Sequence, residues 1–276
     1  MDLATAANYF NDIPVTDAYT AASLFPAQLS SSLDRQPDGS ISKRRIISVA
    51  PGTTIPTRRV GQWLDEKWLL GDVILDGFQG AAIRTNVAVK KVTDDMRILT
   101  AGEAALASAG VAAYAHKEYL KDVVNSPTDA QYDPFWEVTF SPSEAVVKGS
   151  FLRSGSVYYR VRSCHAILEG FNTAAADQLD LVPAAVVLAG TAYDPVTEST
   201  TGSNVSTTGL LFDTYISYKY QHPASPRMLA GDRMLLIAQS AATPKVGQTL
   251  TAQGASWRVE SLYADSGAWY THIRAL

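Results

Sequence analysis

Residues 149–163 read GSFLRSGSVYYRVRS, and residues 247–261 read GQTLTAQGASWRVES. The two stretches match at a constant offset of 98 residues, which places Gly149, Tyr159, Arg160, Val161 and Ser163 opposite Gly247, Trp257, Arg258, Val259 and Ser261. In both copies an apolar strand and a proline-containing turn precede the glycine, and an aromatic-Arg-Val strand follows it. The offset predicts a duplicated β-module with repeat positions Gly149, Tyr159, Val161, Gly247, Trp257 and Val259.

A fainter echo lies nearer the start of the chain. Residues 59–64, RVGQWL, resemble residues 245–250, KVGQTL, and a proline precedes each segment, Pro56 in one case and Pro244 in the other. The downstream spacing of this echo does not hold as well, and matches of six residues arise by chance in β proteins. The sequence therefore predicts two modules.

The rest of the chain favours a β-rich fold. From residue 42 onwards, short apolar runs such as 45–49, 73–75 and 81–92 alternate with glycines and prolines, which is typical of a barrel or sandwich. The predicted fold class is mainly β, with two related small β-barrel or sandwich modules, one central helix and an extended N-terminal arm.

The helix prediction rests on a capping box. Thr100 and Glu103 have the spacing at which the hydroxyl and the carboxylate satisfy backbone donors at a helix start. A helix near 101–124 follows, and Pro127 lies just beyond it. The predicted domains are an arm at 1–40, a β-rich domain at 41–195, a flexible Ser/Thr/Gly loop at 196–209, and a C-terminal barrel-like module at 210–276.

Composition and charge narrow the class of protein. The 276-residue chain is 46% hydrophobic and 18% charged, with a net charge of -4, and so gives no reason to expect binding to nucleic acid or anionic membranes. Arg44-Arg45 and Arg58-Arg59 could still be local contacts, although solvated strand ends are the favoured interpretation. The start lacks the pattern of a signal peptide, and no apolar run reaches about 20 residues, so a cytoplasm-like compartment and no membrane are predicted.

Residue types that carry chemistry are scattered. The single cysteine, Cys164, lies in an apolar run and is predicted to be a buried thiol. The four histidines show no metal-binding spacing, and the adjacent carboxylates Asp65-Glu66 and Asp94-Asp95 fall in polar stretches. We therefore predict no enzyme activity, no catalytic or metal site and no cofactor. The four histidines are His116, His165, His222 and His272.

Aromatic residues cluster in both copies of the repeat. They could form a platform on which sugar rings stack, or they could be core and interface residues. Their matching placement in the two copies favours the core. The residues are Trp136, Tyr158, Tyr159, Trp257, Tyr263, Trp269 and Tyr270.

The C-terminal stretch from Leu229 to Leu276 resembles the small β-barrel of tailed-bacteriophage neck proteins. Its order is AGDRMLLI at 230–237, PKVGQ at 244–248, GASWRV at 254–259 and WYTHI at 269–273. This resembles head-closure or stopper proteins, in which a Gly-Asp strand, a Pro-x-x-Gly-Asp turn and a Gly-x-x-aromatic-x-Val strand follow one another. Gln248 stands where such proteins often have Asp, and their small members lack so long an N-terminal half.

This resemblance implies a structural subunit of a phage neck. Such a subunit would be a head-to-tail connector, adaptor or stopper that assembles in the host cytoplasm as a homo-oligomeric ring between portal and tail. Its partners in the virion would be the portal or other neck and tail proteins, with DNA passing through without specific binding. The alternatives are a capsid decoration or tail protein, or a β module that binds carbohydrate or a receptor.

Overall fold

The computed structural model describes residues 13–35, 41–50, 52–55, 60–63, 65–78, 81–120, 135–166, 170–190, 192–194, 199–212 and 227–276. The chain divides into two compact units, each built from separate segments. The first unit comprises residues 1–95, 113–146 and 163–175, and the second comprises 96–112, 147–162 and 176–276.

The first six strands form a closed antiparallel barrel in the first unit. Their order around the barrel is β1-β2-β3-β6-β5-β4, and β1 pairs with β4 to close it. Alternate apolar residues, among them Phe25, Ile47 and Leu70, fill the interior, as the period of two in a strand requires. The strands are β1 Ile13–Asp17, β2 Ser23–Arg35, β3 Ile41–Val49, β4 Val60–Trp63, β5 Glu66–Phe78 and β6 Ala81–Lys91.

The next six strands form a second barrel, with order β7-β8-β9-β12-β11-β10. A short helix, α1 (Ala101–Ala105), lies between its first two strands. Within the described residues, no helix has the length and apolar character needed to cross a membrane. The strands are β7 Asp94–Leu99, β8 Val111–Leu120, β9 Phe135–Phe140, β10 Phe151–Ser154, β11 Val157–Ala166 and β12 Asn172–Leu179.

The third barrel lies wholly in the second unit. Its order is β13-β16-β17-β20-β19-β18, with β13 pairing with β18 to close it. A two-stranded hairpin, β14 (Ala192–Asp194) with β15 (Ser199–Thr201), is inserted after its first strand. The barrel strands are β13 Leu181–Leu188, β16 Val205–Phe212, β17 Arg233–Ala238, β18 Thr249–Ala252, β19 Ala255–Asp265 and β20 Ala268–Ala275.

All three barrels have one topology. When the strands of each barrel are counted from one to six along the chain, leaving out the β14–β15 hairpin, the order around each barrel is 1-2-3-6-5-4. The mainly β fold class with related small barrels is therefore confirmed, and the described residues contain one more barrel than the two modules predicted.

The third barrel buries apolar residues on both faces of its sheet. Leu235, Ile237 and Ile273 point into the interior. Leu236 and Tyr270 point outwards and pack in a second cluster with α1 and with Phe151 and Tyr158 of the second barrel's β10 and β11, all within the second unit. Burial on both faces explains why β17 reads as the continuous apolar run MLLIA.

The predicted helix is corrected in length. The capping box at Thr100 and Glu103 is present, and α1 begins at Ala101 as predicted. However, α1 ends at Ala105, because Ala107 and Gly110 adopt φ values of 54° and 65°, which an α-helix cannot accommodate. Residues 111–120 form strand β8, and residues 121–124 lie outside the described part of the chain.

Three predicted segments are also corrected. Residues 13–17 and 23–35 of the predicted 1–40 arm are strands β1 and β2 of the first barrel. The predicted flexible loop at 196–209 contains β15 and the start of β16, because its Thr and Val residues pair with β13 and β14. The C-terminal module begins at Leu181 rather than 210, since β13 is the first strand of the third barrel.

Candidate functional site

The repeated glycines occupy the same turn in the second and third barrels. Gly149 and Gly247 have φ values of +88° and +82°, in the left-handed region that glycine tolerates. The Gly149 N–H donates to Val161 O at 2.9 Å, and the Gly247 N–H donates to Val259 O at 2.8 Å. The return bonds, from Val161 N to Ser150 O and from Val259 N to Gln248 O, are both 2.9 Å.

The hairpins that follow these turns share one register. Leu152 lies opposite Tyr159 in β10 and β11, and Leu250 lies opposite Trp257 in β18 and β19, so the pairing is conserved at the 98-residue offset. Tyr159 and Trp257 are buried, as are Val161 and Val259. The repeat positions are therefore turn and core residues in both barrels.

The echo near residue 60 lies in the equivalent hairpin of the first barrel but in a different register. The last pair before the β4–β5 turn is Trp63 with Glu66, which corresponds to Ala252 with Ala255 in the third barrel. Trp63 thus corresponds to Ala252, whereas the sequence match aligns Trp63 with Thr249. Gly61 consequently lies inside a strand, where an added Cβ would meet Val15 Cγ1 at 2.7 Å.

A buried polar cluster lies on the outer face of the third barrel. Asp232 and His272 are 2% and 1% exposed, and His272 Nε2 lies 2.9 Å from Asp232 Oδ2. Arg274 donates to both carboxylate oxygens, from Nε to Oδ1 at 3.1 Å and from Nη2 to Oδ2 at 2.9 Å. The Leu229 N–H donates to the same carboxylate at 2.8 Å, which ties the turn at 229–232 to β20.

Several donors determine the ionisation of this cluster. Burial by itself would raise the pKa of Asp232, but the hydrogen bonds from Arg274, Leu229 N–H and His272 outweigh it and lower the pKa below its ordinary value. The bond to Asp232 also raises the pKa of Arg274. His272 Nδ1 is buried without a hydrogen-bond partner among the described residues. This Asp-His pair is closed to solvent and is arranged to anchor a turn.

The other candidate histidines and Cys164 do not join this cluster. His116 Nδ1 lies 2.8 Å from Lys91 O, His165 is exposed, and His222 lies outside the described residues. The prediction that Cys164 is buried is wrong, because the side chain lies on the exposed end of β11. Partial burial still raises the pKa of its thiol, which reduces the thiolate fraction that would make it nucleophilic.

Three residues of the adjacent carboxylate pairs form ion pairs with lysines of the first unit. Glu66 pairs with Lys91, Asp94 with Lys117 at 2.9 Å, and Asp95 with Lys67 at 3.5 Å. Among the described residues, no group of three or more His, Cys, Asp or Glu side chains is arranged to hold a metal ion. Arg44 and Arg45 lie in β3, while Arg58 and Arg59 fall outside the described ranges.

The aromatic residues pack mainly inside the protein. Tyr158, Tyr159, Trp257 and Tyr270 are buried, and Tyr263 stacks on Tyr270 with ring centroids 4.8 Å apart. Trp257 Nε1 donates to Ala252 O at 3.3 Å, which satisfies the polar atom of this core side chain. Of the seven residues, Trp136, Tyr263 and Trp269 are half-buried. These positions favour the core interpretation over a sugar-binding platform.

A small cavity in the second unit lies beside the repeated Gly149 turn. It has a volume of about 150 Å³ and is lined by Lys148, Gly149, Arg160, Val161, Arg162 and Asp177. Arg160 and Arg162 belong to the same face of β11, and Arg162 pairs with Asp177. The alternation of residues along β11 predicts that Arg160 and Arg162 share a face. No sequence pattern indicated that Lys148 would line the same cavity.

The residues that carry the phage-neck resemblance lie in the third barrel. Residues 233–237 are in β17, residues 244–248 form the turn before β18, and residues 269–273 are in β20. Comparisons with protein-family models, with curated proteins and with solved structures found no match to this chain. The assignment to the neck proteins stays a prediction.

Proposed function

We propose that the chain is a structural subunit of a bacteriophage neck, a connector, adaptor or stopper that forms a ring between portal and tail. The observation that carries the proposal is the use of one barrel topology three times along the chain. The residues repeated between the second and third barrels are turn glycines and core side chains, which maintain a scaffold. The resemblance of residues 229–276 to head-closure proteins supports our proposal that this scaffold lies in the neck, between portal and tail.

Exposed apolar residues in turns of the second and third barrels support an assembly role. Val147 and Val246 are 63% and 67% exposed, and both lie in the turn before the fourth strand of their barrel. Leu229, at the turn before β17, is 53% exposed. Apolar side chains that remain in water are available for burial against another subunit, and head-to-tail contacts repeated by a rotation close into rings.

The polar cluster around Asp232 supports the same interpretation. Its carboxylate accepts hydrogen bonds from a backbone N–H, a histidine and an arginine, and it holds the turn that presents Leu229. A buried carboxylate used in this way fixes a loop conformation. A loop with one conformation binds a neighbouring subunit at a lower entropic cost than a loop that must be ordered.

The proposal is tested by the assembly state of the intact chain. The purified protein is measured by mass photometry and imaged by negative stain, alone and after mixing with portal-containing capsids. We expect rings, or density at the single portal vertex. Capsids that lack a portal are the matched control and should not be labelled. A chain that stays monomeric, does not bind the portal vertex and is absent from virions would contradict the proposal.

The same experiment separates the alternative functions. A capsid decoration protein would label the whole capsid surface with or without a portal, and a tail protein would label tails. A carbohydrate-binding or receptor-binding module would show ligand-dependent quenching of tryptophan fluorescence, with half-buried Trp136 and Trp269 as the most accessible described tryptophans.

A further inference from the structure

The cavity beside Gly149 collects positive charge from three side chains. Lys148 comes from the turn before β10, and Arg160 and Arg162 come from one face of β11. Asp177 is the carboxylate among the lining residues and pairs with Arg162. Lys148 is exposed and has no carboxylate partner among the described residues.

The two arginines are held in place by the surrounding structure. Arg160 Nη2 donates to Asp265 Oδ2 at 3.2 Å, and its guanidinium lies 5.1 Å from the centre of the Tyr270 ring. The side chains of Arg160 and Arg162 are 17% and 28% exposed. A guanidinium fixed at the wall of a cavity loses little conformational entropy when it binds an oxyanion.

The third barrel has different charges at the residues that match Lys148, Arg160 and Arg162. At the 98-residue offset, Val246, Arg258 and Glu260 stand in place of Lys148, Arg160 and Arg162. The Glu260 carboxylate accepts a 2.8 Å hydrogen bond from Arg258 and pairs with Arg274 Nη1 at 3.4 Å. In the third barrel the partner of Arg258 thus comes from the position that matches Arg162, whereas in the second barrel Arg160 pairs with Asp265 and Arg162 pairs with Asp177.

We propose that the cavity of the second barrel binds an external oxyanion, a phosphate or a carboxylate group, in addition to the Asp265 and Asp177 carboxylates that pair with its arginines. The bound group would lie between Lys148 and the two arginines, since phosphates and carboxylates match the planar donor pattern of guanidinium and the charge of an ammonium group. At the 98-residue offset the third barrel keeps only one of these three basic residues, so the shared barrel topology does not require the basic set.

The test uses calorimetric titration of the full chain with sodium phosphate and, in a second arm, with sodium acetate. Ionic strength is held constant with sodium chloride, and a chloride titration gives the background. We expect saturable binding with a dissociation constant on the order of 1 mM or lower in at least one arm. The arm that binds identifies phosphate or carboxylate as the preferred group. Heats equal to the chloride background in both arms would overturn the proposal.

Two variants place the binding in the cavity. Lys148→Val and Arg162→Glu each introduce the residue that the third barrel has, and we expect either to weaken binding by about tenfold or more. Lys148 is exposed, so Lys148→Val keeps the test informative if Arg162→Glu fails to fold. Arg258→Gln is the control, because it removes one positive charge from the third barrel at a residue that does not line the cavity.

We expect Arg258→Gln to keep the wild-type dissociation constant within about twofold, since it leaves all the lining residues in place. Far-ultraviolet circular dichroism of each variant without added anion checks the fold. An equal loss of affinity in Arg258→Gln and Lys148→Val would show general attraction to the protein surface and would overturn the assignment to this cavity. The proposal does not depend on the neck function.

Discussion

Gly149 and Gly247 adopt the same backbone conformation in two barrels whose other residues differ widely. An added Cβ would meet nothing within 4 Å at Gly247 and only Ser266 Oγ, at 3.8 Å, at Gly149. The requirement for glycine therefore comes from the positive φ value and not from crowding. This distinguishes these positions from Gly61 in β4, where the Cβ would clash with Val15.

Substitution of the two turn glycines should have equal effects. We expect Gly149→Ala and Gly247→Ala each to lower the free energy of unfolding by about 1 kcal/mol, because alanine is strained at positive φ. Gly247→Asn should cost less than Gly247→Ala, since asparagine tolerates this region better. Urea unfolding of the three variants measures the differences. A cost of Gly247→Asn equal to or above that of Gly247→Ala would contradict the backbone explanation.

Asp232 should make the stability of the protein depend on pH. Its pKa is lower in the folded protein than in the unfolded chain, where it is about 3.9. The carboxylate therefore contributes its full stability above about pH 5, and this contribution is lost as the pH falls through the folded-state value. We expect Asp232→Asn to be less stable than wild type by about 2–3 kcal/mol at pH 6.

The difference between wild type and Asp232→Asn should shrink as the pH falls from 5 to 3, and urea midpoints at several pH values measure it. Asp65→Asn is the control, because Asp65 is exposed and its replacement should change stability by less than about 0.5 kcal/mol. A wild-type advantage that stays constant down to pH 3 would show that the carboxylate charge does not anchor the turn at 229–232.

At the scale of elements, the β10–β11 and β18–β19 turns differ in the residue at their first left-handed position. The β18–β19 turn has Gln253 and Gly254 at φ values of 53° and 77°, a pattern that a two-residue hairpin reaches with Asn-Gly or Asp-Gly most readily. The equivalent position in the β10–β11 hairpin is already Gly155, at φ 59°. Gln253 therefore holds a left-handed conformation that its side chain disfavours.

We expect Gln253→Asn to stabilise the protein by about 0.5 kcal/mol, because asparagine relieves part of that strain and the Asn-Gly pair favours this turn. Thermal and urea unfolding measure the change. Thr251→Asn is the control, since Thr251 is an exposed residue of β18 without positive φ, and it should be neutral or slightly destabilising. A Gln253→Asn variant no more stable than wild type would contradict the proposed strain.

The α1 region shows where local sequence signals succeed and where they fail. The capping box identified the first residue of α1, because the Thr100 hydroxyl and the Glu103 carboxylate act within four residues. The alanine-rich segment that follows favours a helix by propensity, yet Ala113 and Ala115 are buried in alternation along strand β8. Tertiary pairing with β9 overrides the propensity there, and no local signal reports that pairing.

At the scale of the whole molecule, the third barrel is contiguous in sequence but not self-sufficient in burial. All its strands lie between residues 181 and 275, while Leu236 and Tyr270 on its outer face pack with α1, Phe151 and Tyr158. We expect a 181–276 fragment to keep β-type circular dichroism but to bind a hydrophobic dye and unfold at lower urea than the intact chain. A fragment as stable as the intact chain, with no dye binding, would contradict this expectation.

The repeated architecture was only partly predictable. The offset of 98 residues identified the second and third barrels because their fourth and fifth strands kept both glycine and core aromatic positions. The first barrel was not predicted, because the sequence match between residues 59–64 and 245–250 is three positions out of register with the structural match of the two hairpins. The cavity lined by Lys148 could not be predicted either, since it depends on how β10, β11 and β12 lie together.

The shared register of the β10–β11 and β18–β19 hairpins has a consequence for misfolding. Each hairpin presents the same pairing pattern at the same place in the topology, so either could pair with the other's neighbours during synthesis. Strand exchange of this kind is a typical failure of repeated domains. The contrast between Lys148 and Arg162 in one copy and Val246 and Glu260 in the other gives each hairpin a different charge. That difference disfavours the wrong exchange while the backbone pattern permits it.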